Sequence, residues 1–273
     1  MSKTIRCLMG RLFFVLLLLL LGGAVGYGLS DGITDLRRMF IPSSPQTEAA
    51  AAWSDFANRI GALGNRILKS DFPSGSDRDR AEGIKHLVHV MVEGLQWEFD
   101  HGGPKPAALM VSNTDKTAWG APNVDNEYYR ARIDPSSRYT LHGNVTSLHE
   151  LAIQTSKGDI HQGRLGASET FDLSKLQINE DGNFLLKISR EPQEGDWLQP
   201  GEDHSILSIR TYLVDWESTA FGSFYLVEDD AEGLAPEPLS EAEAATRLGR
   251  SASWIESNVV GWNRWAGITR AIS

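Results

Sequence analysis

The sequence predicts a mainly β protein: an antiparallel β-sandwich or jelly-roll-like domain flanked by amphipathic helices, with an N-terminal transmembrane or signal helix. Three observations predict this fold class. About eight short apolar segments with turn signals between them fill residues 107–228. Stripes of apolar residues at helical spacing occur before and after that region. The chain begins with basic residues followed by a long apolar run.

Residues 1–30 have the layout of an export signal or a membrane anchor. A basic start precedes an uncharged stretch over residues 12–30, which includes six consecutive leucines. Its length is close to the roughly 20 residues that an apolar helix needs to cross a bilayer. The basic start favours a cytoplasmic N-terminus, so we expect residues 31–273 in the periplasm or at the cell surface. An uncleaved anchor is favoured, and cleavage would instead release a secreted protein.

The composition limits the chemistry of the exported part. The chain has 36 acidic and 26 basic residues among 273, a formal net charge of −10 at pH 7. Because so acidic a surface repels phosphate backbones, no nucleic-acid partner is expected. Cys7 is the single cysteine and precedes the apolar run. The exported part therefore has no intrachain disulfide and no cysteine-based zinc site.

Residues 31–106 are predicted to form a linker and then an αα-hairpin. Ser44 and Pro45 are typical of a helix start. The first apolar stripe is Trp53, Phe56, Ile60, Leu63 and Ile67. The stripe of the second helix is Ile84, Leu87, Val88, Met91, Leu95 and Phe99. Residues 229–273 are predicted to form an acidic linker and a C-terminal helix to about residue 265, which opens with a capping box at Ser240 and Glu243.

Residues 107–228 are predicted to form the β-domain. The candidate strands are Ala107–Val111, Tyr128–Ile133, Arg138–Val145, Glu150–Gln154, Leu176–Ile178, Asn183–Ser189, Ser205–Val214 and Gly222–Glu228. An Asp-Gly pair within residues 180–183 predicts a hairpin turn between two apolar runs. Because helical patterns do not separate the strands, a parallel α/β fold is not expected.

Two polar patterns resemble metal sites. His86, His89 and Glu93 share one side of the second helix, and two histidines with a carboxylate can bind a metal. We favour a solvated polar face, since the trio lies opposite the apolar stripe. Asn123 and Asp125 alternate with a glutamate in a loop and could bind calcium, but turn formation is favoured. No metal and no cofactor is therefore predicted.

The strand over residues 205–214 carries Arg210 among apolar residues on both faces. A buried structural arginine–carboxylate pair is favoured there over an anion-binding arginine. The nearby aromatic residues could form a floor for a sugar or an apolar ligand. They are Trp119, Trp197, Tyr212 and Trp216. Core filling by tryptophan is the alternative explanation.

The chain shows no complete catalytic motif: Gly-x-Ser-x-Gly, a phosphate-binding glycine loop and His-Glu-x-x-His are all missing. We therefore interpret the exported domain as a ligand- or partner-binding module, for a carbohydrate or an apolar ligand. The alternative is a cell-envelope hydrolase or lyase with a site at the strand ends near Arg210. A scaffold that docks a partner through its helices is a third hypothesis. The sequence does not predict an oligomeric state.

Three stretches within residues 119–228 resemble the bacterial family of domains of unknown function DUF1214. Trp119-Gly120 with Asn123, Asp125 and Tyr128 is similar to the family's Trp-Gly, Asp-Asn-Pro-Asp, Tyr stretch. Residues 195–200, around Trp197, are similar to its Asn-Trp-Leu-Pro turn. Residues 210–217 are similar to its Arg-x-Tyr strand end. The chain departs from the family by Asp196 for asparagine, by Gln199 for proline and by a first motif without its second glycine and proline.

The resemblance implies a jelly-roll-like β fold and no established activity, so no catalytic residue follows from it. Longer relatives continue past a helix like residues 240–265 into a second β region, and a site between two β regions would be missing here. Together with the aromatic residues, the resemblance gives one candidate ligand-binding set. Its members are Trp119, Asn123, Asp125, Tyr128, Trp197, Arg210, Tyr212 and Trp216.

Overall fold

Two β-sheets and three long helices make up the part of the chain that the structure describes. The computed structural model describes residues 47–69, 75–103, 106–146, 148–217, 221–229, 231 and 238–272. The helices are α1 (Glu48–Lys69), α2 (Asp77–Phe99) and α3 (Glu241–Ile272). The strands are β1 (Met110–Ser112), β2 (Asn126–Arg132), β3 (Tyr139–Asn144), β4 (Glu150–Ser156), β5 (Phe171–Asp172), β6 (Asn183–Ile188), β7 (Trp197–Leu198), β8 (Ile206–Tyr212) and β9 (Ser223–Glu228).

The predicted anchor or signal over residues 1–30 lies outside the described residues, as does most of the linker that follows it. Within the described ranges, no helix combines the length and the apolar character that a bilayer span requires.

The strands form two sheets. Sheet 1 has the order β1-β2-β8-β4-β5 and is antiparallel throughout. Sheet 2 has the order β7-β6-β3-β9 and is antiparallel except for the β6–β7 pair. Buried apolar side chains of both sheets share one core, which includes Leu151, Leu207 and Ile209 from sheet 1 and Leu141 and Leu186 from sheet 2. Two mainly antiparallel sheets with flanking helices confirm the coarser prediction, a β-rich domain between helices.

Strand β8 shows how residue alternation builds sheet 1. Leu207 and Ile209 point into the core between the sheets and are 0% and 1% exposed. Ser208 and Arg210 point to the opposite face and are exposed there. The expectation that Arg210 is buried is therefore wrong, because the helices cover only part of that face.

A second apolar cluster joins the helices to sheet 1. It includes Met110 and Ile206 from the sheet, and Trp97, Trp254 and Ile255 from the helices. Helix α3 is central to this helical layer, because α1 and α2 both pack against it. Two helices from the start and one from the end of the described residues thus form one layer.

The buried face of α2 differs from the predicted stripe. Ile84 and Val88 are each 49% exposed, whereas Glu93 and Gly94 are buried. The physical reason is the small size of Gly94: a Cβ atom there would lie 2.8 Å from Ile255 Cγ1. Helix α3 approaches α2 at this glycine and buries the side of α2 that carries it.

The strands also differ from the prediction in two respects. Residues 176–178 are not a strand, because the amide of Gln177 donates to Asp196 Oδ2 at 2.6 Å instead of joining a sheet. A turn forms over residues 179–183, with Gly182 at φ +80° and its amide bonded to the Asn179 carbonyl, but it does not join two strands, so the predicted hairpin is absent. The two-residue strands β5 and β7 were not predicted.

Candidate functional site

A cavity of about 390 Å³ lies on the face of sheet 1 that is turned away from sheet 2. We call it the arginine cavity. Strands β2, β4 and β8 form its floor, and the segment between β4 and β5 forms a wall. Arg130, Arg164 and Arg210 line it together with Trp119 and Tyr128. A neighbouring cavity of about 340 Å³ shares part of that wall and reaches towards α2 and α3.

Three residues of the predicted set meet in the arginine cavity: Trp119, Tyr128 and Arg210. Tyr128 and Arg210 are cross-strand partners in β2 and β8. The guanidinium carbon of Arg210 lies 5.2 Å from the centre of the Tyr128 ring, within the range of a cation–π contact. Arg210 Nη1 also donates a hydrogen bond to Tyr212 Oη at 3.3 Å.

Other members of the set bond to one another at the end of β2 and β8. Asn123 Oδ1 accepts from the amide of Asp125, which is an Asx-turn contact. Trp216 Nε1 donates to Asp125 Oδ1 at 2.9 Å. These side chains build the loop, as the turn interpretation predicted. Within the described residues, no group of three or more His, Cys, Asp and Glu side chains is arranged as a metal site.

Trp197 lies apart from the rest of the predicted set. It belongs to β7 of sheet 2, and its Nε1 donates to the Ser189 carbonyl at 2.9 Å. It lines a separate cavity with Arg190 and His204. The predicted aromatic floor is therefore divided between the two sheets.

The buried ion pair of Arg130 and Asp159 forms the back wall of the arginine cavity. Arg130 Nη2 lies 2.6 Å from Asp159 Oδ1, and both side chains are at least nine-tenths buried. Trp254 Nε1 donates to the other oxygen of Asp159 at 2.9 Å. Burial alone would raise the pKa of Asp159, but Arg130, His161 and Trp254 outweigh it and hold that pKa below its ordinary value. The guanidinium of Arg130 stacks 3.8 Å above the Trp97 ring.

His161 lies between two tryptophans at the same junction. Its ring centre is 5.6 Å from that of Trp119 and 4.9 Å from that of Trp254. Burial lowers the pKa of His161 to about 4, so its imidazole is neutral near pH 7. Among the described residues, neither ring nitrogen has a hydrogen-bond partner. His161 acts here as an aromatic spacer behind Trp119.

Glu93 holds Trp119 in place through the hydroxyl group of Ser112. The Ser112 hydroxyl donates to Glu93 Oε1 and accepts from Trp119 Nε1 at 3.0 Å. Burial raises the pKa of Glu93 above its ordinary value. The interpretation of Glu93 as part of a solvated face is therefore wrong, because this carboxyl group is 0% exposed.

Sequence reasoning missed the four side chains that support the cavity from behind: Glu93, Arg130, Asp159 and His161. One usable signal was present, because Tyr128, Arg130 and Arg132 alternate along a predicted strand. Such alternation places an aromatic ring and two guanidinium groups on one sheet face. Asp159 and His161 follow β4 in an irregular segment that had no recognisable pattern.

No family model matches the chain, and a search of curated proteins finds no match. Among solved structures, it is similar to a putative uncharacterized protein from Burkholderia cenocepacia, with a TM-score of 0.72 and 26% sequence identity. That likeness covers 78% of this chain and 59% of the other, so this chain spans less than two thirds of the neighbour's length. The VPA0106 protein from Vibrio parahaemolyticus matches more weakly, with a TM-score of 0.34, 15% identity and 63% and 52% of the two chains covered. The first likeness supports the β-rich fold.

Proposed function

We propose that this protein is a membrane-anchored, extracytoplasmic module that binds a small anionic molecule in the arginine cavity. Residues 12–30 would be the anchor, and the module would be a jelly-roll-like domain related to the DUF1214 family. The observation that carries the proposal is the charge of the cavity lining. Among its described residues are three arginines and one carboxylate, in a protein whose net charge is −10.

The unpaired arginines are the reason to expect an anion. The carboxylate of Asp159 is already paired with Arg130. Within the described residues, Arg164 and Arg210 form no ion pair, and both are exposed. Two guanidinium groups without a carboxylate partner in one concavity attract a carboxylate or a similar anion, which a planar guanidinium binds through paired hydrogen bonds.

The other residues that line the cavity indicate what the uncharged part of the ligand contains. Trp119 and Tyr128 supply ring faces, while Gln154, Ser156 and Ser208 supply hydrogen-bonding groups. About 390 Å³ is at the small end of the range for ligand pockets. An acidic monosaccharide or another ring-shaped carboxylate fits this combination.

The resemblance to the DUF1214 family also points to the arginine cavity as the binding site. Two of the three similar stretches contribute Trp119, Tyr128 and Arg210 to one cavity. These stretches are far apart in sequence, and the pairing of β2 with β8 brings them together. The third stretch, around Trp197, lies on the other sheet.

Calorimetric titration of the full chain in detergent tests the proposal. The probes are D-galacturonate and its neutral counterpart D-galactose. We expect binding of the acid and at least tenfold weaker binding of the neutral sugar. Arg210→Gln should weaken galacturonate binding about tenfold or more, since a hydrogen bond to a charged group contributes about 1.5–3 kcal/mol.

Arg66→Gln is the matched control, because Arg66 is an exposed arginine on α1 and does not line the cavity. Its Kd for galacturonate should equal that of the parent. Equal affinity for the acid and the neutral sugar, or equal loss in both variants, would contradict the proposal. Turnover of the bound sugar would instead support the hydrolase or lyase alternative.

A further inference from the structure

Another cavity, of about 610 Å³, lies on the face of sheet 2 that is turned away from sheet 1. Strands β9, β3 and β6 lie side by side there. Their register aligns Tyr225, His142 and Leu185 in one row across the three strands. Alternation along each strand directs these three side chains outward, while their sequence neighbours enter the core.

We call this row the shelf; the His142 ring covers one face of the Tyr225 ring, and the other face of Tyr225, on the edge strand β9, is open to solvent. The His142 and Tyr225 rings are stacked, with their centres 4.3 Å apart and their planes at 12°. Tyr225 is 58% exposed and Leu185 is 54% exposed, so the shelf opens to solvent. Burial and the nearby Lys187 lower the pKa of His142, so its ring is neutral near pH 7.

Amide side chains border the shelf. The next row along the same strands is Ser223, Asn144 and Asn183, and Gln177 and Asn179 complete this side of the cavity. Asn144 already uses its amide group within the protein, donating to Asn183 Oδ1 and the Asp181 carbonyl and accepting from Thr146. Within the described residues, the side-chain nitrogens of Asn179 and Asn183 and the Oε1 atom of Gln177 form no hydrogen bond, so they remain to donate to and accept from a hydroxyl group.

The charged residues that line this cavity are Lys187, Glu194 and Asp196, and they do not favour an anion. Lys187 donates to Thr140 at 2.7 Å and lies 3.9 Å from Asp229. Asp196 accepts two hydrogen bonds from Gln177. The cavity thus differs from the arginine cavity, where two guanidinium groups are unpaired.

We propose that this face of sheet 2 is a second binding site and that it takes a neutral saccharide. One sugar ring would stack its C–H face on the open face of Tyr225, and its hydroxyl groups would bond to the bordering amides. A flat ring beside donors and acceptors is complementary to a pyranose, which is apolar on its faces and polar at its rim. This proposal does not depend on the arginine cavity, because the two sites are on different sheets.

The test is calorimetric titration of the full chain with cellohexaose, xylohexaose, chitohexaose and maltohexaose. The detergent must lack a sugar headgroup, which would compete for the same shelf. We expect at least one hexasaccharide to bind. Tyr225→Ala should weaken that binding at least tenfold, and Tyr225→Phe should retain it because the ring face remains.

Trp53→Ala is the matched control, since Trp53 is an aromatic residue of α1 that is 61% exposed and outside this cavity. It should leave saccharide binding unchanged. Thermal unfolding of Tyr225→Ala should match the parent, because the side chain is mostly exposed. Failure of all four probes to bind, or equal binding by Tyr225→Ala and the parent, would overturn the proposal.

Discussion

Glu93 is the residue at which protonation and the shape of the arginine cavity are coupled. Its carboxyl group is fully buried and bonded to Ser112, whose hydroxyl accepts from Trp119. Because the Ser112 hydrogen points to Glu93, the Ser112 oxygen is free to accept the indole N–H. Trp119 in turn lines the cavity. Ionisation of Glu93 would leave a negative charge in a buried site behind this tryptophan. The loss of solvation makes that charge costly.

The raised pKa of Glu93 predicts a pH dependence of stability. The folded protein keeps this proton at pH values where the unfolded chain has released it. Stability therefore falls as pH rises above the unfolded pKa, until the folded carboxyl group also ionises. Glu93→Gln has no such proton to release. The stability of this variant relative to the parent should therefore rise as the pH is raised from about 5 to about 8. Urea unfolding at both pH values measures the difference.

Glu82→Gln is the control for that experiment, because Glu82 is an exposed acid on the same helix. Its stability difference from the parent should not change with pH. A constant difference between Glu93→Gln and the parent at both pH values would show that the Glu93 pKa is not raised.

Arg130 and Arg210 show what residue patterns can and cannot predict. Both arginines occupy β-strands that were predicted from alternation, and both strands exist. Alternation assigns a residue to one of two sheet faces, but it does not say which part of a face a helix will cover. Arg130 lies under Trp97 of α2 and is 4% exposed, whereas Arg210 lies on the uncovered part. The buried arginine was therefore expected at the wrong position.

At the level of elements, the contact between α2 and α3 depends on Gly94. A methyl group at this position would lie 2.9 Å from Trp254 Cε3 and 2.8 Å from Ile255 Cγ1. Trp254 also bonds Asp159, so it cannot move without disturbing the buried ion pair. The close approach of the two helices thus supports the back of the arginine cavity.

Gly94→Ala and Gly61→Ala should have opposite effects on stability. Alanine is favoured over glycine in a helix by about 1 kcal/mol. A Cβ atom at Gly61 in α1 meets no atom within 4 Å, so Gly61→Ala should stabilise the protein by up to that amount. Gly94→Ala should destabilise it by about 1–3 kcal/mol, because overpacking outweighs helix propensity. Urea unfolding midpoints of the two variants measure these effects. Stabilisation by both variants would contradict the close contact between Gly94 and α3.

The elements themselves were predictable to different degrees. The Ser240 cap at the start of α3 forms as predicted, with Ser240 Oγ accepting from the Glu243 amide at 3.1 Å, while the Glu243 carboxylate bonds Arg247 instead of closing the box. It is a local pattern that needs no tertiary information. The side of α2 that faces the core was not predictable, because apolar residues such as Ile84, Val88 and Val90 lie on several sides of the helix. Strands β5 and β7 are too short to show an alternation.

At the scale of the whole molecule, the two sheets present different surfaces. Sheet 1 turns a cationic cavity outward, partly covered by helices, and sheet 2 turns an aromatic and amide-lined cavity outward. Cavities on opposite sides of one core allow two ligands to bind without competing for space. An anchored protein with this arrangement would suit a location where small acids and saccharides are both encountered.

The predicted location has its own test. If residues 12–30 anchor the chain with a cytoplasmic N-terminus, a reporter fused after Ser273 is exported. We expect alkaline phosphatase to be active in this fusion and β-galactosidase to be inactive. Deletion of residues 12–30 should reverse both activities. An active β-galactosidase fusion of the full chain would place the domain in the cytoplasm.

The helical layer joins segments that are distant in the sequence. Arg59 of α1 bonds Glu256 of α3 across 197 positions, and Arg247 of α3 donates to the Phe99 carbonyl across 148 positions. During synthesis, α1 and α2 therefore leave the ribosome long before their packing partner exists. Such non-local contacts form late and slow the folding reaction. The helical layer consequently stays incomplete until α3 has been synthesised, and the apolar faces of α1 and α2 wait for their partner until then.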